Sequence, residues 1–168
     1  MRAIELIRWA LTMTDEGVAA IVKDLRSAPL TRPVVRDGVG SGNHPLWVLG
    51  HLAHLEGVVH SCVTGGPNPV AHWAGMFGTA TTPVDDAGAY PGFDEVLAKF
   101  RELRAANVKL LEEIGDGGLD ARPRVVPPGF EDVMSSVGRA FLLMALHSMV
   151  HYGQVADARR AAGLRPLI

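Results

Sequence analysis

Four stretches of the chain repeat apolar residues at the three- and four-residue spacing of a single helix face. The first covers residues 2–27, with Ile4, Ile7, Leu11, Val18, Ile21, Val22 and Leu25 forming its stripe. Pro29 and Pro33 prevent its continuation, since proline lacks the amide hydrogen a helix needs and clashes with the preceding turn. The second runs from Pro45 to Cys62. Proline suits a first helical turn, Asn43 or His44 stands where a cap belongs, and Gly65-Gly66-Pro67 ends the segment. The third spans Phe93 to Ile114, with Phe93, Val96, Leu97, Phe100, Leu103, Leu110, Leu111 and Ile114 as its stripe and Gly115 as its stop. The fourth spans Ser135 to Ala162, capped by Ser135 or Ser136 and closed by Gly163 and Pro166.

No strand pattern competes with these segments. Val34-Val35 and Val125-Val126 are too short, and prolines flank them. The fold class is therefore all-α. Four long amphipathic helices bury their stripes against one another as a four-helix bundle. The connection between the second and third helices, residues 64–92, is long for a compact domain and rich in Gly, Pro and Thr. A short helix is expected near residues 69–77, with Trp73, Met76 and Phe77 as anchors. Such a connection either crosses over an end of the bundle or covers a site. Neither an internal repeat nor a second domain is visible, so residues 1–168 read as one domain.

Composition narrows the function classes. At 48% apolar and 20% charged residues, the chain can build a core and is not globally disordered. Its net charge is −2 and it has no basic block, which argues against nucleic acid or an anionic membrane as partner. Arg159-Arg160 with Arg165 fit the dipole at a helix C-terminus. The single cysteine, Cys62, rules out an internal disulfide. Glu5, Asp15 and Glu16 interrupt any signal-peptide core, and no run of 18 apolar residues occurs. The expectation is a cytoplasmic protein without a membrane span.

Histidine supplies the candidate chemistry. His147 and His151 lie four apart in Phe141-Leu-Leu-Met-Ala-Leu-His147-Ser-Met-Val-His151-Tyr-Gly-Gln154. On a helix they share a face, about 40° apart, among Leu, Met and Val. In the second helix, His51 sits among Val48, Leu49, Leu52 and Leu55, with Trp47 one turn before it and His54 three residues on. Facing helices in a bundle lie about 8–10 Å apart, so one imidazole from the second helix and two from the fourth can meet one ion. Both His51 and His54 can supply the first, and hydrogen-bonded core histidines are the plainer alternative. His60 reads as solvated and Cys62 as a small core residue. Trp47 is placed to pack beside the histidines, Trp73 to pin the connection, and Trp9 to sit in the core or at a dimer face. Glu56, about 140° around the helix from His51, points away from it.

The order of these motifs resembles the DinB/YfiT-like family of metal-dependent four-helix bundles. The matching residues are Trp47-Val-Leu-Gly50-His51-Leu, His147-Ser-Met-Val-His151-Tyr-Gly-Gln154 and the run Ala158-Arg159-Arg160-Ala-Ala-Gly163. By position, the resemblance implies His51, His147 and His151 as ligands of a divalent metal, zinc or nickel. Tyr152 stands where the family often has Arg. The resemblance further implies activation of a low-molecular-weight thiol or of water, as in a thiol S-transferase or a hydrolase, and a homodimer. The alternative is a non-catalytic metal-binding or stress-associated interaction module with a vestigial site. A centre of this kind lowers the pKa of a coordinated water or thiol by several units.

Overall fold

The computed structural model describes residues 2–22, 25, 30–31, 35–36, 39–40 and 42–165. Among the described residues there are five α-helices: α1 (Ala3–Val22), α2 (Pro45–Thr64), α3 (Ala74–Phe77), α4 (Phe93–Ile114) and α5 (Val137–Ala161). The four long ones begin and end within two residues of their expected positions, except that residues 23, 24, 26 and 27 of the first expected helix lie outside the described residues. One expectation needs correcting. Val35–Arg36 (β1) does pair with Val39–Gly40 (β2), as a two-residue antiparallel ladder. A ladder this short has no periodic pattern to betray it.

Local chemistry sets the helix ends. The His44 ring, not Asn43, caps α2: its Nδ1 accepts from the Trp47 amide at 3.0 Å. Gly65 closes α2 with a left-handed φ of 74°, and its amide donates to Ser61 O. That conformation is cheap for glycine and costly for other residues. Ser136 caps α5 by accepting from the Arg139 amide.

The helices form a closed ring in which α2 packs on α4 and α5, and α1 packs on α5 and α4. The core divides into two apolar clusters. One gathers Val18 and Val22 of α1, Leu46 to Ala53 of α2, Val96 to Leu103 of α4 and Val155 of α5. The other gathers Ile7 and Leu11, Val59 to Val63, Leu111, and Val137 to Ala145. The end of α1 therefore lies level with the start of α2, the start of α4 and the end of α5. It follows that α1 and α5 run one way and α2 and α4 the other. Because α2 and α4 are parallel neighbours, the chain must return along the whole bundle between them. At 20 residues, α2 is about 30 Å long, which accounts for the length of the 65–92 connection. The connection is folded on the way, into a 3-10 turn (Ala71–Trp73), α3, and a second 3-10 turn (Ala87–Ala89). Among the described residues no helix is long and apolar enough to cross a membrane.

Between the two clusters lies a buried polar layer. Glu56, 1% exposed, pairs with Arg104, 3% exposed, at 2.7 Å. The same guanidinium donates to Leu11 O at 2.7 Å, to Thr14 Oγ1 at 2.9 Å and to Ser148 Oγ at 3.2 Å. Asn107 Nδ2 donates to the second Glu56 oxygen at 2.8 Å, and its Oδ1 faces His60 Nδ1 at 3.0 Å. Thus His60 is tied into this layer and not simply solvated. Trp9 is 60% exposed, and Leu6, Met13, Leu146, Met149 and Val150 are exposed as well, so of its two expected places the core is ruled out.

Removing one member of a buried ion pair leaves the other charge without its partner, which costs about 3–5 kcal/mol. Arg104→Ala is expected to lose that much stability in urea denaturation, whereas Arg8→Ala, whose Glu112 partner is about half exposed, is expected to change stability by less than about 1 kcal/mol.

Candidate metal centre

Three histidines converge where α2 faces α5. His51 Nε2 lies 2.9 Å from His147 Nε2, and His151 Nε2 lies 2.9 Å from the same atom. One ring nitrogen from each of the three falls within 4.8 Å of the others. His51 and His151 are buried, at 5% and 6% exposed, and His147 is half-buried. His54, the other candidate in α2, is half-buried too but does not belong to this group.

The far nitrogen of two of these rings is fixed by its surroundings. His51 Nδ1 is 2.7 Å from Phe77 O, a backbone carbonyl. A carbonyl only accepts, so Nδ1 carries the proton and Nε2 keeps its lone pair. His151 Nδ1 is 2.8 Å from Gln154 Oε1, which also accepts from Asn43 Nδ2 at 3.1 Å. The same reasoning leaves His151 Nε2 as a lone pair. Both lone pairs face His147 Nε2, which has at most one proton to give while neutral. Hydrogen bonding alone therefore cannot satisfy both 2.9 Å contacts. A cation satisfies all three lone pairs together, which is the donor set zinc prefers. Tetrahedral zinc at ~2.0–2.1 Å from each nitrogen spaces its donors about 3.3 Å apart, so the two 2.9 Å pairs need open by only a few tenths of an ångström.

Burial keeps these rings neutral. It pushes His51 and His147 down to about 4, with neighbouring imidazoles adding to the effect and the Phe77 carbonyl opposing it at His51. Burial lowers His151 as well, against the opposing bond to Gln154. Neutral imidazole is the form that binds a metal.

The crossover connection helps to build the site. Phe77 packs on the bare Cα of Gly50, where a β-carbon would collide with its ring. That contact brings the Phe77 carbonyl to His51. Trp47 stacks on His51, with ring centroids 4.7 Å apart and planes 8° from parallel, and its Nε1 donates to Thr81 Oγ1 at 3.1 Å. The connection thus crosses the bundle and covers one side of the site. The groups that orient the imidazoles are a backbone carbonyl and a side-chain amide. Gln154 stands within the quoted motif, whereas the Phe77 carbonyl is backbone and nothing sets Thr81 apart from Thr79 and Thr82. The one available sign was Gly50, a glycine in mid-helix beside His51. Such a residue costs a helix about 1 kcal/mol relative to alanine and so marks a close approach.

The model of the DinB superfamily matches residues 10–155. The chain belongs to the DinB superfamily. Among curated proteins none matches it. Within this DinB domain the matched span includes α2, the connection and α5 through the last of the three histidines, so every residue of the site lies inside it.

Two outcomes follow from this geometry. Gly50→Ala is expected to cost about 1–3 kcal/mol of stability through overpacking against Phe77, as read by denaturation. The second concerns pH. An unfolded histidine titrates near ~6.5, while His51 and His147 stay neutral to about 4 when folded. The unfolded chain therefore binds more protons between these values, and the folded state loses stability as pH falls. The thermal midpoint of the metal-free protein should be insensitive to these groups above about 6.5 and decline toward 4. In His147→Gln the decline should be shallower.

Proposed function

We propose that this DinB-superfamily protein binds one divalent metal, zinc or nickel, through His51, His147 and His151, and uses it to activate a low-molecular-weight thiol or water. The observation that supports this is the convergence of three neutral imidazole nitrogens, 2.9 Å apart in two pairs, with the outer nitrogen of two rings held by Phe77 O and Gln154. Bound there, the metal supplies Lewis acidity that lowers the pKa of a coordinated thiol or water. Three neutral donors leave its charge uncompensated and a coordination position open, which suits an anionic thiolate.

The chain's own groups define the rest. Phe77 O and Gln154 hold the tautomers, which keeps the donor lone pairs inward and strengthens them as ligands. Asn43 holds Gln154 in turn. Trp47 and the connection exclude water from the His51 side, so that half-buried His147 marks the open side. Glu56 supports the thiol reading over the hydrolytic one. Hydrolysis calls for a general base near the metal, and this carboxylate of α2 is committed to Arg104 and Asn107. Transfer from a thiol needs no such base once the thiol is ionised.

The test is metal content by elemental mass spectrometry on untagged protein, wild type beside the double variant His147→Ala/His151→Ala. About one metal per chain is expected in the wild type and none in the variant. Chelation is expected to leave the protein folded, because two apolar clusters support it without the ion. If the wild type takes up no zinc or nickel after reconstitution, the histidines are core residues and the interaction-module reading replaces this one. If it binds metal but neither transfers thiols to electrophiles nor hydrolyses esters and amides, the site is non-catalytic.

A further inference from the structure

We propose that Arg104 is a positioning residue for the three-histidine site: its guanidinium sets the register of α5 against α2, so that nitrogens from two helices meet at one point. The inference rests on the metal-binding reading for its consequence but on separate observations for its geometry.

Arg104 sits on α4, which contributes none of the three histidines. From there it bonds Glu56 of α2 at 2.7 Å, Leu11 O of α1 at 2.7 Å and Ser148 Oγ of α5 at 3.2 Å. One rigid fork therefore touches all three other long helices at one level of the bundle. Two of its partners stand close to the site along the chain. Ser148 adjoins His147, and Glu56 is five residues from His51, about 7.5 Å along the axis. The apolar clusters on either side cannot do the same work, because apolar contact is non-directional and tolerates sliding. A slip of α5 by a single residue, about 1.5 Å, would break the Ser148 bond and pull His147 and His151 away from His51.

A purely stabilising role is a poor account of this layer. Replacing a buried ion pair by apolar residues of similar volume is often neutral or stabilising. Here the remaining polar groups keep partners without it. Ser148 Oγ still donates to Met144 O, Thr14 Oγ1 still donates to Ala10 O and Leu11 O, and Asn107 Nδ2 still donates to Glu56 O. Fixing register is the better-attested use of such a group.

The experiment compares wild type with Glu56→Leu/Arg104→Met and with Ser148→Ala, which leaves the Glu56–Arg104 pair whole. Two readouts are taken, imidazole nitrogen spectra of the metal-free proteins and zinc affinity by chelator competition. The wild type is expected to show His51 and His151 protonated on Nδ1. The double variant is expected to stay folded, to lose that pattern or show several forms of it, and to bind zinc roughly ten- to a hundredfold more weakly. Ser148→Ala is expected to stay folded with a lowered thermal midpoint and to lose part of the affinity. A folded double variant with the wild-type pattern and affinity overturns the inference while leaving the metal reading intact. A wild type that binds no zinc, with imidazole signals that still respond to Arg104, overturns the metal reading and upholds the positioning role. Should the double variant fail to fold, wild-type zinc affinity in Ser148→Ala overturns the inference.

Discussion

The bundle is organised around a charge that has nowhere else to go. Arg104 is 3% exposed, and a guanidinium cannot shed its proton in a protein. Its donors must therefore be met by acceptors inside the core, and they are met from α1, α2 and α5. An apolar bundle of these helices would have many near-equivalent packings. Isolated deep in the core, this fork discriminates among them, since a shifted helix would leave a buried charge with broken bonds at a cost of several kcal/mol. The two apolar clusters supply the bulk of the driving force, and the polar layer between them selects which arrangement that force produces.

The same division of labour holds at the histidines. Apolar surroundings keep the rings neutral, and directional bonds aim them. Neither alone gives a site. Buried imidazoles without Phe77 O and Gln154 would be free to choose tautomers that pair with one another. Oriented imidazoles in water would carry protons at mildly acid pH. The connection belongs to this arrangement because its Phe77 carbonyl and Thr81 hydroxyl fasten the rings of His51 and Trp47. Its length, imposed by the parallel course of α2 and α4, is used on the way to hold the histidine cluster in place.

The long helices were legible because each buries a stripe that repeats at the helical period and carries its own stop signals. The histidines were legible because polar residues on an apolar stripe stand out. By the same logic Arg104 and Asn107 could have been found. They lie in phase with Phe100, Leu103 and Leu111 on α4, and Glu56 lies in phase with Leu49, Leu52 and Val59 on α2. Reading Glu56 only for its angle to His51 missed that its own direction leads to another helix. Helix directions were not legible, since an amphipathic stripe says which face is buried and not which neighbour buries it. Nor was Phe77 O, because every residue has a carbonyl and only the fold selects one. Trp9 was left between the core and a dimer face for a related reason: a large aromatic signals apolar area without saying what, if anything, covers it.

The ring of helices has a consequence for how the protein comes into being. The first long helix packs chiefly on the last, and the last also packs on α2 and brings two of the three histidines. An emerging chain that stops short of residue 137 has α1 with one flank bare, a second helix missing a neighbour, and Arg104 without its Ser148 bond. No N-terminal portion is a smaller version of the whole. Sequence-distant pairings of this kind slow folding relative to a bundle of consecutive hairpins, and exposed stripes on a nascent chain invite association with other chains. Both the core and the histidine cluster are therefore incomplete until the final helix is in place.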